Sequence, residues 1–414
     1  MLKISPEGEL VLAIARDIVY NQKNNTLALL QNKKINWLIF KDILSYHGLA
    51  PFAYFSFKEY ISFLPEDLRE ILRATYYYSL AHLSRLQRKF LELCHAFTEK
   101  NVLLLPIKGV ALLDDLYPDY PVRSSSDIDI LVKEEDLEEA AKILEDLGYQ
   151  KNLEGLKESY WRKKQYHFVF QEKEPKGFSP IVELHWDLDY RRYRRQLLPE
   201  MFQRLREGTI QNKKVKLLSV EDTFIALALH QRRFGVALSL RDVCDMAILL
   251  NKYSKCFNWD YVLREAKKAK ICSTIFFAIS QVRLFFEMNI PEDVWRGLNL
   301  SECKIRLIQH FIKKNTFSSN PHTQAKNLYL KAHFLLYDNL WEPVNYILNI
   351  PQEQFAKFYS LEPYSKKTYF YYRCRLFYIL FRSIYNLFKF NPDSVENRKI
   401  GKIGDGSIFT LFTI

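Results

Sequence analysis

Asp127 and Asp129 stand two residues apart in the run Ser126-Asp127-Ile128-Asp129-Ile130-Leu131-Val132. Side chains of a strand alternate between faces, so in an extended segment both carboxylates project the same way while Ile128 and Ile130 turn to a core. Two carboxylates forced together repel, and a hard divalent cation, Mg²⁺ or Mn²⁺ in its place, is the usual relief. Asp-x-Asp pairs also occur at exposed strand ends, so the neighbouring residues must decide between a metal site and a solvated turn. Lys108-Gly109 follows the short apolar run Val102 to Ile107 and precedes a helical pattern from Val110. A glycine at that point lets phosphate oxygens approach backbone N–H groups. Glu183 lies in a later apolar run, Pro180 to Trp186, and His185, two residues on, shares its face. Three carboxylates, a lysine and a helix-opening glycine are a set suited to phosphoryl transfer, in which positioning and electrostatics do most of the work.

Each of these residues also has a plainer reading. Glu183 on an apolar strand could be held by a structural salt bridge, because burying it alone is costly. His185 could be a histidine at the edge of the core. His230, Arg241 and Asp242 fall on helices expected to cover the cleft, where Arg241 and Asp245 at i,i+4 would make an ordinary helix pair. The cluster Arg191, Arg192, Arg194 and Arg195 suits an anionic substrate, although runs of charge are usually solvated.

The elements that must position these groups follow from periodicity. Apolar residues at three- and four-residue spacing predict helices over Leu10 to Tyr20, Trp37 to His47 and Asp67 to Lys100. Then come a strand to Ile107, a helix from Val110 to Tyr117, a loop from Pro118 to Ser125, the Asp-x-Asp strand, and a helix from Asp136 to Leu147 that Gly148 ends. Short strands follow at His167 to Phe170 and Pro180 to Trp186, and the pattern is helical from Ser219, which can cap with Asp222. The fold class is α+β: a small mixed sheet with helices on one side, embedded between N-terminal and C-terminal helical regions. The expected units are residues 1–100, 101–190 and 191–390, with a tail at 391–414 whose Gly401, Gly404 and Gly406 precede no helix.

Composition sets wider limits. Apolar residues make up 48% of the 414 and charged residues 26%, which describes a soluble globular chain and excludes a disordered one. The net charge of +12 suits an anionic partner without choosing among them. Six cysteines, Cys94, Cys244, Cys256, Cys272, Cys303 and Cys374, contain no Cys-x-x-Cys and read as reduced, mostly buried thiols. With no long apolar run and only Leu10 to Ala15 near the start, the expected location is the cytoplasm. Tyr364 to Phe390 mixes aromatic with basic residues; packing with snorkelling basic side chains is the favoured reading, and peripheral membrane contact the other. No module for nucleic-acid binding is recognisable.

Taken in order, several motifs resemble one family. They are Leu105-Pro106-Ile107-Lys108-Gly109-Val110-Ala111-Leu112, Tyr117-Pro118, Arg123, the Asp-x-Asp run, Gly148-Tyr149 and Val182-Glu183-Leu184-His185-Trp186, with Trp37 and His47-Gly48-Leu49-Ala50-Pro51 upstream and His230 and Leu240-Arg241-Asp242-Val243 downstream. The chain resembles the bacterial uncharacterised nucleotidyltransferase family of the DNA polymerase β-like nucleotidyltransferase superfamily, over about residues 35–275. The resemblance implies a nucleotidyltransferase core with Asp127, Asp129 and Glu183 as a Mg²⁺ triad, Glu183 as base or orienter of the incoming hydroxyl, and an NTP as donor. Lys108, Gly109, Arg123 and Ser126 would meet the nucleotide. One departure bears on the donor: the superfamily's Gly-Ser pair is Gly109-Val110 here, so its serine hydroxyl is missing. Three functions stay open at this point: nucleotidyl transfer to a hydroxyl acceptor, transfer of another phosphate-bearing group in natural-product or cell-surface polymer tailoring, and a non-catalytic nucleotide-binding or membrane-surface scaffold.

Overall fold

A computed structural model describes residues 4–22, 26, 29–30, 34–117, 123–175, 179–189, 198–233, 239–317, 334–339, 341–375 and 377. At its centre is a five-stranded mixed sheet in the order β1-β2-β5-β4-β3. The strands are β1 (Leu105–Pro106), β2 (Asp127–Leu131), β3 (Tyr149–Asn152), β4 (His167–Glu172) and β5 (Ile181–His185). β2 and β5 run parallel, with Asp129 beside Glu183 and Leu131 beside His185, while the other neighbours are antiparallel.

Alternation divides this sheet into two unlike faces. Ile128, Ile130, Val182, Leu184, Phe168 and Phe170 form the apolar face, all fully buried. They pack with Leu83, Leu86, Phe90, Leu93 and Phe97 of the long helix Glu66–Glu99, with Val110 and Leu113, and with Ala140, Ile143 and Leu144 of the helix Leu137–Asp146. A stripe of Leu and Phe at helical spacing makes the long helix, and burying it against the sheet fixes its orientation. The opposite face carries Asp127, Asp129, Glu183, His185 and His167.

The helices before and after the sheet share one core. Pro6–Tyr20, Trp37–Tyr46 and Ala50–Phe57 pack with Leu240–Lys252 and Cys272–Phe286, and Leu105, Ile107, Leu112 and Leu131 join the same cluster from the sheet side. The sheet is thereby clamped between helices distant in sequence. Ser219 caps the helix Val220–Arg233 as expected, its hydroxyl accepting from the Asp222 N–H at 3.1 Å.

Some elements were not anticipated. β3 extends the sheet directly after Gly148, whose φ of +88° makes the turn out of the helix. A separate hairpin, β6 (Arg206–Ile210) with β7 (Lys213–Leu217), turns at Gln211-Asn212, both with positive φ, as a two-residue hairpin of this hand requires. Of the six cysteines, all free, only Cys244 and Cys272 are buried, while Cys256 and Cys303 are exposed, so the expectation of mostly buried thiols is corrected. The aromatic and basic segment forms a helix at Lys366–Arg373 with Tyr369 and Phe370 exposed; its remainder beyond Phe377, the arginine cluster at 191–195 and the glycines at 401–406 lie outside the described residues. Among the described residues no helix is long and apolar enough to cross a membrane.

Candidate metal and phosphate site

The parallel pairing of β2 with β5 sets Asp129 and Glu183 side by side, with Asp127 two residues back on the same face. One oxygen from each of the three lies within 4.8 Å of the others, a spacing that a single divalent cation can bridge. Three hard anionic donors on rigid strands fit Mg²⁺ or Mn²⁺.

Cationic groups already oppose this charge. Lys108, from the turn after β1, places Nζ 2.6 Å from Asp129 Oδ1 and 3.9 Å from Glu183 Oε2. His185 Nε2 lies 3.2 Å from Asp129 and 3.1 Å from Glu183, and its Nδ1 is buried without a hydrogen-bond partner, which favours the tautomer that donates from Nε2 to both carboxylates. Antiparallel pairing brings His167 beside His185, where the rings stack with centroids 5.0 Å apart, and His167 Nε2 reaches within 4.0 Å of Glu183. His167, Glu183 and His185 are also close enough to form a nitrogen-bearing ligand group that shares Glu183.

The three carboxylates are not equivalent. Burial, and next the charge of Asp129, push the Asp127 carboxyl up to about 7. Burial also works to raise Asp129, but Lys108 and the hydrogen bond from His185 outweigh it and hold that group below its ordinary value. Glu183 is held well below its ordinary value: burial is overcome by His167, by the His185 hydrogen bond and by Lys108. Without a cation, Asp127 is therefore the carboxylate that takes a proton near neutrality.

Gly109 opens the helix Val110–Leu116 with φ +53° and ψ −108°, a backbone state that side chains disfavour. A Cβ there would stand 2.6 Å from Ser125 Oγ. The Ser125 hydroxyl thus lies over the turn, and it donates to the Asp127 carbonyl at 3.3 Å. Ser126, expected at the nucleotide, is exposed at the entry to β2.

The remaining expected residues hold this loop from behind. Arg123 is 5% exposed and grips Asp245 with two nitrogens, Nε at 2.8 Å and Nη2 at 2.7 Å, while the Tyr117 hydroxyl donates to the same carboxylate at 2.6 Å. Asp245 therefore pairs with Arg123, and the expected helix pair with Arg241 is corrected. Arg241 instead donates to the Ser124 carbonyl and hydroxyl, each at 3.3 Å, and pairs with Asp242 at 3.2 Å. His47 accepts from the Leu240 N–H at 3.2 Å, and Gly48, at φ +67°, lies against the Arg241 side chain, so the upstream His-Gly pair seats the helix that carries Arg241. His230 is half-buried in the helix Val220–Arg233 and belongs to neither ligand group.

His167 and Ser125 were not singled out from sequence. The signal for His167 was available: it opens a strand, and pairing that strand with β5 in antiparallel places it beside His185. Ser125 had no such signal, because only the path of its loop sets it above Gly109.

A family model described as "Uncharacterised nucleotidyltransferase" matches residues 33–287. Neither a curated protein nor a solved structure matches the chain.

Proposed function

Because the chain belongs to the uncharacterised nucleotidyltransferase family, we propose that it moves a nucleoside monophosphate from an NTP to a hydroxyl of a small molecule, peptide or protein, with a divalent cation held by Asp127, Asp129 and Glu183. The observation that carries this reading is the convergence of those carboxylates on one sheet face, with a lysine and a glycine turn beside them. A cation bound there would neutralise charge on the triphosphate and acidify the attacking hydroxyl.

The chain's own groups supply the rest. Glu183, kept ionised by His167, His185 and Lys108, accepts or orients the hydroxyl proton. The hydroxyl oxygen bonds to the α-phosphorus while the α–β phosphoanhydride bond breaks, and pyrophosphate leaves with that electron pair. Lys108 turns its positive charge from Asp129 to the donor's phosphates. Gly109 adds no side chain to the turn and so leaves room for Ser125, which offers the hydroxyl that Val110 cannot.

Labelled ATP, GTP, CTP and UTP incubated with Mg²⁺ or Mn²⁺ and candidate acceptors test this directly. Pyrophosphate release should exceed that of Asp127→Ala at least a hundredfold; release equal to the variant's would sink the proposal. Val110 in the serine position favours a second reading, transfer of a different phosphate-bearing group, and the mass added to a reacted acceptor separates the two.

A further inference from the structure

We infer that Tyr78 and His82 form a stacking platform for the heterocyclic base of the donor nucleotide, an inference that rests on the nucleotidyl-transfer reading. Both residues lie on the long helix Glu66–Glu99, just before the stretch that packs on the sheet. Their rings stack at 5.7 Å with an interplanar angle of 20°, and Tyr78 is 70% exposed. An aromatic ring so exposed presents one broad face to solvent, and a partner ring beneath it fixes its orientation, which is what a planar ligand needs.

The platform's position ties it to the phosphate turn. The His82 ring lies beside the backbone of Ser125, whose hydroxyl overlies Gly109. Two contacts thus join the ring pair to the turn beside the carboxylates. Arg85, exposed and one turn further along the helix, acts on His82 through its charge and supplies a cation along the same stripe. Ring, imidazole and guanidinium recur at i, i+4 and i+7, on one side of the helix. A nucleoside triphosphate matches that order: base on Tyr78, anionic chain past His82 and Arg85 toward Gly109.

Equilibrium binding of non-hydrolysable NTP analogues and of inorganic tripolyphosphate, to the full chain with Mn²⁺, tests the inference. Tyr78→Ala should weaken the analogues about tenfold, the scale of one base–aromatic stack, and leave tripolyphosphate unchanged, while Tyr78→Phe binds both like the wild type. The inference is overturned if Tyr78→Ala changes neither ligand or weakens both equally. Equal affinity of the wild type for tripolyphosphate and nucleotides also overturns it, though nucleotidyl transfer then survives. If the wild type binds neither ligand, both readings fall together.

Discussion

Lys108 Nζ lies 2.6 Å from Asp129 Oδ1, so the site carries its own counter-charge where a divalent cation is expected to act. A buried carboxylate with no such partner would have to lose its charge. The lysine therefore keeps Asp129 ionised, and in the proposed reaction the same charge would pass to a phosphate once a cation is bound.

Lys108→Met should destabilise the cation-free protein by about 2–4 kcal/mol, somewhat less than a fully buried broken pair because the lysine is partly exposed. Saturating Mn²⁺ should restore most of that loss, since bound ions stabilise by mass action. Denaturant titrations with and without the cation measure both effects. An unaffected cation-free variant would show that Lys108 does not support the carboxylates.

Asp127 gives the site a pH dependence of known sign. Its folded pKa is raised to about 7, so in the cation-free protein its contribution to stability is greatest below the unfolded value near 4 and is lost as pH rises toward 7. A cation must displace that proton. Its affinity should climb through about pH 7 and level off above, with proton release at pH 6 and much less at pH 8. Calorimetry in buffers of different ionisation enthalpy reads the release directly, and Asp127→Asn should abolish it. Proton uptake at pH 6, or none, contradicts the assignment.

Much of this site could be read from the sequence because strands have a period of two. Asp127 and Asp129 on β2, and Glu183 and His185 on β5, needed only alternation to share faces, and Gly109 needed only its place between a strand and a helix. Contacts that depend on how the chain returns were not legible. Asp245 follows Arg241 by four residues, which suggests a helix pair, yet it turns to Arg123 across 122 residues of chain. The hairpin Arg206 to Leu217 is too charged for an apolar pattern to reveal, since only Ile210 and Leu217 of its strands are buried.

Arg123 and Asp245 give a test of scaffold against ligand contact. Both side chains are almost wholly buried, and Asp245 also holds the Tyr117 hydroxyl. Arg123→Met leaves that carboxylate without its cation and should cost about 3–5 kcal/mol. Where the variant remains folded, tripolyphosphate affinity should change less than threefold. A selective loss of phosphate binding at unchanged stability would instead assign Arg123 to the nucleotide.

Gly109 offers a test that separates backbone strain from crowding. Alanine there must hold φ +53° and ψ −108° and must also displace Ser125 Oγ, 2.6 Å from its new Cβ. The backbone part costs on the order of 1–3 kcal/mol. Moving Ser125 adds to it and disturbs the loop entering β2, whose Asp127 carbonyl accepts from that serine. Gly109→Ala should therefore lower both stability and tripolyphosphate affinity, the latter by about tenfold. Adding Ser125→Ala removes the crowding but leaves the dihedral strain, so the double variant should regain part of the stability and little of the affinity, because the hydroxyl is gone. Equal stability of Gly109→Ala and the wild type would mean that the turn tolerates a side chain, and with it that close backbone approach is not what Gly109 provides.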